Sequence, residues 1–143
     1  MRSVNCNQIL VVEDHFESAE LLRMILEEEG YLVQIAETGA EAIQKIAAAS
    51  MTDSEDFYPD LILLDLRLPD MSGVEVVKAL QRLYAVIPPI VLLSADPQQS
   101  LNDAANSLGA SAVRKPFDFD ELFQSIRIAL ETHHTADALI ETK

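Results

Sequence analysis

Five short apolar runs, separated by longer segments of helical periodicity, restrict this chain to one kind of architecture. The runs are Ile9 to Val12, Tyr31 to Ala36, Leu61 to Leu64, Ile90 to Leu93 and Ala110 to Val113. The first, third and fourth are apolar throughout instead of alternating. That pattern marks strands covered on both faces, as in a parallel sheet between helix layers. In between, residues 16–29 place Leu22, Ile25 and Leu26 on one helical face. Residues 97–108 do the same with Leu101, Ala104, Ala105 and Leu108, and residues 118–130 with Phe119, Leu122, Phe123, Ile126, Ala129 and Leu130. Strand followed by helix, five times over, implies right-handed crossovers and one parallel sheet. Five strands make an open sheet, since a closed barrel needs eight. The expected fold class is α/β: a five-stranded, doubly wound parallel sheet, (βα)5.

Local signals set the boundaries. Thr38-x-x-Glu41, Ser72-x-x-Glu75 and Asp118-x-x-Glu121 fit the capping box, in which two side chains satisfy orphan backbone donors at a helix start. Asp96-Pro97-x-Gln99 offers a cap with proline at the first helical position. Gly30 and Gly109 stand where helices should end, and Pro88-Pro89 is expected to stop the third helix. Residues 51–59 read as a polar loop. A length of 143 residues suits one domain. The expected organisation is an N-terminal extension over 1–7, the domain over 8–130 and a tail over 131–143, too short for an effector.

Charge narrows the function classes. Ten Lys and Arg against 24 Asp and Glu give a net charge of −14. Phosphate neutralisation needs clustered cations, so neither nucleic acid nor an anionic membrane is an expected direct partner of this surface. Cys6 is the sole cysteine, which excludes an internal disulfide. The first apolar run is too short for a signal peptide or a membrane span, so a cytoplasmic location is expected.

In an open α/β sheet, ligands gather outside the carboxyl ends of the strands. The first strand runs into Glu13-Asp14, the third ends in Asp65, the fourth in Ser94 and the fifth in Arg114-Lys115-Pro116. Three carboxylates at close range repel by about 4 kcal/mol per pair at an effective dielectric near 20. A proton or a cation must resolve that repulsion. All-oxygen donors with open positions suit Mg²⁺. With a lysine and a hydroxyl pointing inward, the set is that of a phosphoryl-transfer site with a carboxylate nucleophile. Glu13 and Asp14 are adjacent and can share the metal. Asp65 stands alone before a loop bent by Pro69 and Gly73, and is the expected nucleophile.

The set Val11-Val-Glu-Asp14, Leu63-Leu-Asp-Leu-Arg-Leu-Pro-Asp-Met-Ser-Gly73, Leu92-Leu-Ser-Ala95 and Lys115-Pro-Phe117 resembles the receiver domain of two-component response regulators, over roughly residues 8–130. The resemblance implies the chemotaxis-regulator fold, with flavodoxin-like strand order 2-1-3-4-5. It implies that Asp65 accepts a phosphoryl group from a histidine kinase or a phosphotransfer protein. It also implies Mg²⁺ held by Glu13, Asp14, Asp65 and the backbone carbonyl of Arg67. Ser94 would sense the phosphoryl group, Lys115 would pair with it, and the Lys115-Pro116 peptide is usually cis. Output would pass through the 97–130 face to a downstream protein or a second copy. The family often carries Tyr or Phe three residues before the lysine; here that position is Ala112, so the usual aromatic switch is absent. The resemblance implies that Arg67 and Asp96 stand at positions that tend to tune phosphoryl lifetime in the family, and a pair between them across the site mouth is one reading.

Blander readings stand beside these. Glu13-Asp14 can cap the first helix, because Asp14-x-x-Glu17 fits a capping box. His133-His134 reads as a solvated pair, and the acidic first helix as a solvated face. Catalysis is expected to be limited to the domain's own phosphorylation and dephosphorylation, so no enzyme acting on an external metabolite is expected. One rival is a Mg²⁺-dependent phosphatase with an Asp nucleophile. It usually needs a second acid where Arg67 stands, and a cap domain for which there is no room. Another is a constitutive interaction module with the same fold. A nucleotide or flavin binder lacks its glycine-rich loop after the first strand.

Overall fold

The structure is a computed structural model that describes residues 7–50, 58–95 and 98–141. Cys6, the Asp96-Pro97 cap and most of the 51–59 loop lie outside the described residues, as do the side chains of Gln99, His133 and His134. Five strands alternate with five helices: β1 (Gln8–Val12), α1 (Phe16–Glu28), β2 (Leu32–Ala36), α2 (Gly39–Ser50), β3 (Leu61–Asp65), α3 (Gly73–Leu83), β4 (Ile90–Ser94), α4 (Gln98–Leu108), β5 (Ser111–Arg114) and α5 (Phe119–Glu141). The strands form one parallel sheet in the order β2-β1-β3-β4-β5. The expected doubly wound (βα)5 architecture and its strand order are both present.

The solid apolar runs have the predicted cause. Alternate residues of a strand face opposite sides. Leu10, Val12, Ile62, Leu64 and Leu92 join one core with Ala42, Ile46, Val76, Val77, Leu80, Leu101 and Ala105 from α2, α3 and α4. Ile9, Val11, Leu61, Leu63, Val91 and Leu93 join the other with Leu22, Leu26, Leu122, Ile126 and Ala129 from α1 and α5. Each fully buried Leu or Ile contributes about 1.5–3 kcal/mol relative to exposure. The central strands β1, β3 and β4 are therefore the rigid part of the molecule, and their ends are fixed points for a site.

The helix boundaries agree with sequence in part. Ser72 and Glu75 form the complete capping box of α3. Thr38 Oγ1 accepts from the Glu41 amide at 3.0 Å, but Glu41 reaches the amide of Glu37, not that of Thr38. Asp118 accepts from the Asp120 amide at 2.9 Å. Gly30 and Gly109 adopt φ of 96° and 66°, conformations a side chain disfavours, and so end α1 and α4. The α3 helix does not run to Pro88-Pro89: it stops at Leu83, with Tyr84 extended at φ −132°. The α5 helix continues to Glu141, through residues read as a tail. Among the described residues, no helix is long and apolar enough to cross a membrane.

Candidate functional site

Three central strands deliver buried polar groups to one edge. Glu13 follows β1, Asp65 ends β3 and Ser94 ends β4; they are 3%, 7% and 1% exposed. Among the described residues, Gln8, at the opposite end of β1, is the only other buried polar or charged one. Lys115 reaches them from beyond the edge strand β5. Its amide donates to the Ser94 carbonyl at 2.8 Å, which extends the β4–β5 ladder by one residue and aims the side chain inward. The Lys115-Pro116 peptide is cis.

The ammonium of Lys115 joins the two acids. Nζ lies 2.8 Å from Asp65 Oδ2 and 3.0 Å from Glu13 Oε2. The remaining oxygens are also engaged. Asp65 Oδ1 accepts from the Arg67 amide at 2.8 Å, and Glu13 Oε1 from the His15 amide at 3.3 Å. Burial pushes the Glu13 carboxyl above its ordinary value; contact with the Asp65 carboxylate adds to this, and Lys115 opposes it. For Lys115, burial alone would lower the ammonium's pKa. The hydrogen bonds and charges of Asp65 and Glu13 together outweigh it, and the net shift is upward.

The loop behind Asp65 is tightly folded. Gly73 donates to the Leu66 carbonyl at 2.8 Å, and Arg67 and Ser72 face each other in an antiparallel bridge. A Cβ at Gly73 would lie 2.7 Å from the backbone oxygen of Asp65, so the start of α3 packs on the backbone of Asp65 itself. At the loop tip, both Asp70 carboxylate oxygens accept from amides of α2: Gly39 at 2.9 Å and Ala40 at 3.0 Å. These bonds hold the Asp70 carboxyl below the usual range. The sequence reading gave Asp70 no role.

The expected site residues are thus brought together unevenly. Glu13, Asp65 and Lys115 are in direct contact, with Ser94 buried at the adjoining strand end. Asp14 is exposed on the turn that follows. It does not cap α1, whose N-cap is His15 without a side-chain hydrogen bond. Among the described residues, no three acidic, His or Cys side chains stand arranged to hold a metal ion. The donor chemistry nevertheless suits a hard cation, because two buried carboxylates are balanced by one ammonium, with a third carboxylate next in sequence. Ala112 is half-buried and packs on the core shared with Leu101 and Leu92.

A doubly wound parallel sheet with a buried acid pair and a lysine at its carboxyl edge defines a class of α/β protein that handles its ligand at strand ends. The response regulator receiver domain model matches residues 9–127. The chain belongs to that family. It is 37% identical over 131 residues to the KDP operon transcriptional regulatory protein KdpE of Escherichia coli, covering 91% of this chain and 54% of KdpE. It is 36% identical over 130 residues to the uncharacterized transcriptional regulatory protein YkoG of Bacillus subtilis, covering 89% of this chain and 52% of that protein. The chain spans about half the length of these curated relatives. Among solved structures it resembles the response regulator TrrA of Thermotoga maritima in complex with Mg²⁺ and BeF, with a TM-score of 0.72, 32% identity and coverage of 86% of this chain and 98% of that one.

These relatives correct the expected partners. Nucleic acid was excluded on the grounds of an acidic surface, yet KdpE and YkoG are by name transcriptional regulatory proteins. The charge argument applies to the receiver's own surface. It does not reach the half of each relative that lies outside the match.

Proposed function

We propose that this chain is a phosphoacceptor that receives a phosphoryl group on Asp65 from a histidine kinase or a phosphotransfer protein. The observation that carries this reading is the Lys115 ammonium, held 2.8 Å from Asp65 and 3.0 Å from Glu13 at the strand ends. A carboxylate oxygen of Asp65 attacks phosphorus, the phosphorus–nitrogen bond of the donor phosphohistidine breaks, and the electron pair leaves on the imidazole nitrogen. The product is an acyl phosphate on Asp65. Attack by water on phosphorus later releases inorganic phosphate and restores the carboxylate. Lys115 pairs with the charge on the phosphoryl oxygens, and the buried Ser94 hydroxyl hydrogen-bonds one of them. Mg²⁺ would be held by Glu13, Asp14, Asp65 and the carbonyl of Arg67, and when bound supplies positive charge to the transferring oxygens.

The protein would therefore catalyse only its own phosphorylation and dephosphorylation, in the cytoplasm. Phosphorylation would bias the 97–130 face between two states, and output would reach nucleic acid through an effector, as the relatives' names suggest. Incubation with Mg²⁺ and a small acyl phosphate, followed by intact-mass measurement, tests the reading. One added phosphoryl group in the parent, absent from Asp65→Asn, supports it. No adduct with any donor or kinase returns the chain to a constitutive module. Steady turnover of a generic phosphate ester that Asp65→Asn abolishes would make it a phosphatase.

A further inference from the structure

We infer that Asp70 is a positioning residue for the phosphoacceptor, acting by fastening the loop after β3 to the N-terminus of α2. The inference rests on the reading of Asp65 as the phosphoacceptor and names a part of that site which its chemistry does not use. Asp70 is exposed and lies outside the buried cluster. Its two oxygens instead accept from the amides of Gly39 and Ala40, 31 and 30 residues away in sequence.

The contact is more than a cap. Gly39 is buried, and a Cβ there would lie 2.5 Å and 2.7 Å from Cγ and Sδ of Met71, and 2.8 Å from Cγ2 of Val76. The loop tip, Asp70-Met71, is therefore seated on α2 by two bonds and by a close approach that needs glycine on the other side. The two flanks of the tip are tied by the Arg67–Ser72 bridge. From that bridge the Arg67 amide donates to Asp65 Oδ1 at 2.8 Å. A continuous series of contacts thus runs from α2 through Asp70, the loop and Arg67 to the carboxylate that would attack phosphorus. The same peptide segment carries the Arg67 carbonyl assigned to the metal. Release of the tip lets the loop rotate about its base, and both the Asp65 orientation and the carbonyl position loosen together.

A purely structural role would be that of any helix cap, and α2 has a second cap for comparison. Thr38 Oγ1 accepts from the Glu41 amide at 3.0 Å, a bond that involves no residue of the loop. Asp70→Ala and Thr38→Ala each remove capping from the same helix, but only the first frees the loop. The test measures the phosphorylation rate with a small acyl phosphate across a Mg²⁺ series, together with thermal stability and exchange of the Arg67 amide by NMR. Asp70→Ala is expected to raise half-saturating Mg²⁺ about tenfold and to speed Arg67 amide exchange about tenfold. Thr38→Ala is expected to lower Tm comparably and leave both values at the parent level. Gly39→Ala, which displaces Met71 while keeping the Asp70 carboxylate, should act in the direction of Asp70→Ala. Equal effects of Asp70→Ala and Thr38→Ala, or no effect on Arg67 exchange, would overturn the inference. Absence of phosphorylation in the parent would instead refute the phosphoacceptor reading, and Arg67 exchange would still decide the role of Asp70.

Discussion

Replacing Lys115 with methionine keeps most of the side-chain volume and removes a cation bonded to two buried acids. At 2.8 Å and 3.0 Å and an effective dielectric near 20, each attraction is worth about 6 kcal/mol before desolvation. Desolvation of the charges offsets most of that. The net loss from removing one partner of a buried pair is about 3–5 kcal/mol. The Lys115 side chain is 26% exposed, so the lower end applies, about 3 kcal/mol. For a chain of this length that is a fall in Tm of roughly 10 °C. The loss should depend on pH. Lys115 has a raised pKa in the folded state, so its contribution is complete below its unfolded value and fades only as alkaline pH passes the raised one. Glu13 already holds its proton more tightly than an exposed glutamate, and loses the opposing ammonium in the variant. Lowering the pH then neutralises it and relieves the repulsion with Asp65. Denaturation with a chelator present should show about 3 kcal/mol of loss at alkaline pH and a smaller loss as the pH falls toward the raised value of Glu13. Added Mg²⁺ should restore part of it by binding the folded state. A variant as stable as the parent, or a loss that does not change with pH, would refute the account of Lys115 as the ion that holds two carboxylates together.

Three further substitutions probe the residues around this cluster. Gly73→Ala places a methyl 2.7 Å from the Asp65 backbone oxygen, a neighbour that cannot rotate away, and should destabilise by about 2 kcal/mol in urea denaturation, with slower phosphorylation at Asp65. Ser72→Ala breaks the α3 capping box and should lower stability by about 1 kcal/mol; an unchanged midpoint would mean that the box makes no net contribution. Glu13→Gln removes a group whose folded pKa lies above its ordinary value of 4.5, so it binds protons more strongly folded than unfolded. Parent stability relative to this variant should therefore fall as pH rises from about 4.5 through the raised value, and a flat difference curve would show that burial does not shift Glu13.

The sheet was legible because its signal is local and dense. Ile9 to Val12, Leu61 to Leu64 and Ile90 to Leu93 are buried on both faces, and no other placement hides such runs. Strand ends shifted by a residue where the pattern is weaker: β2 starts at Leu32, and β5 spans Ser111–Arg114. The site residues were legible because a parallel sheet delivers all its carboxyl ends to one edge, so Asp65, Glu13 and Lys115 meet despite separations of 50 and 102 residues. Asp70 was not legible. Thr38-x-x-Glu41 supplies α2 with a cap in sequence, but a cap meets only some of the first-turn amides and does not name what meets the rest. The Glu41 side chain binds the Glu37 amide, and the Gly39 and Ala40 amides remain for Asp70. Nothing in the order of residues records that division. The end of α3 was misjudged for a related reason: proline forbids a helix to continue but does not require it to last that long, and Tyr84 turns extended four residues before Pro88.

The placement of charges also explains why the site divides between strands and loops. Glu13, Asp65 and Ser94 are buried at the ends of the three central strands, where packing on both faces leaves little freedom. Asp14 and Arg67 are exposed on the loops just beyond. One ammonium against the carboxylates of Glu13, Asp65 and Asp14 leaves the acids in excess of it, with Arg67 exposed on the loop beyond. A divalent cation would neutralise that excess at the point where a phosphoryl group adds more. On the proposed reading, fixed acids on the strands would keep Asp65 oriented, while exposed groups on the loops would let an ion and a donor approach from solvent. Such an arrangement works only if the loop after β3 is itself restrained, because the Arg67 amide that orients Asp65 Oδ1 belongs to it. The sheet restrains only the first residue of the loop, where the Leu66 amide donates to the Leu93 carbonyl at 2.9 Å. The bonds from Asp70 to α2 come from the element packed beside the loop, which is where a restraint independent of the strands has to originate.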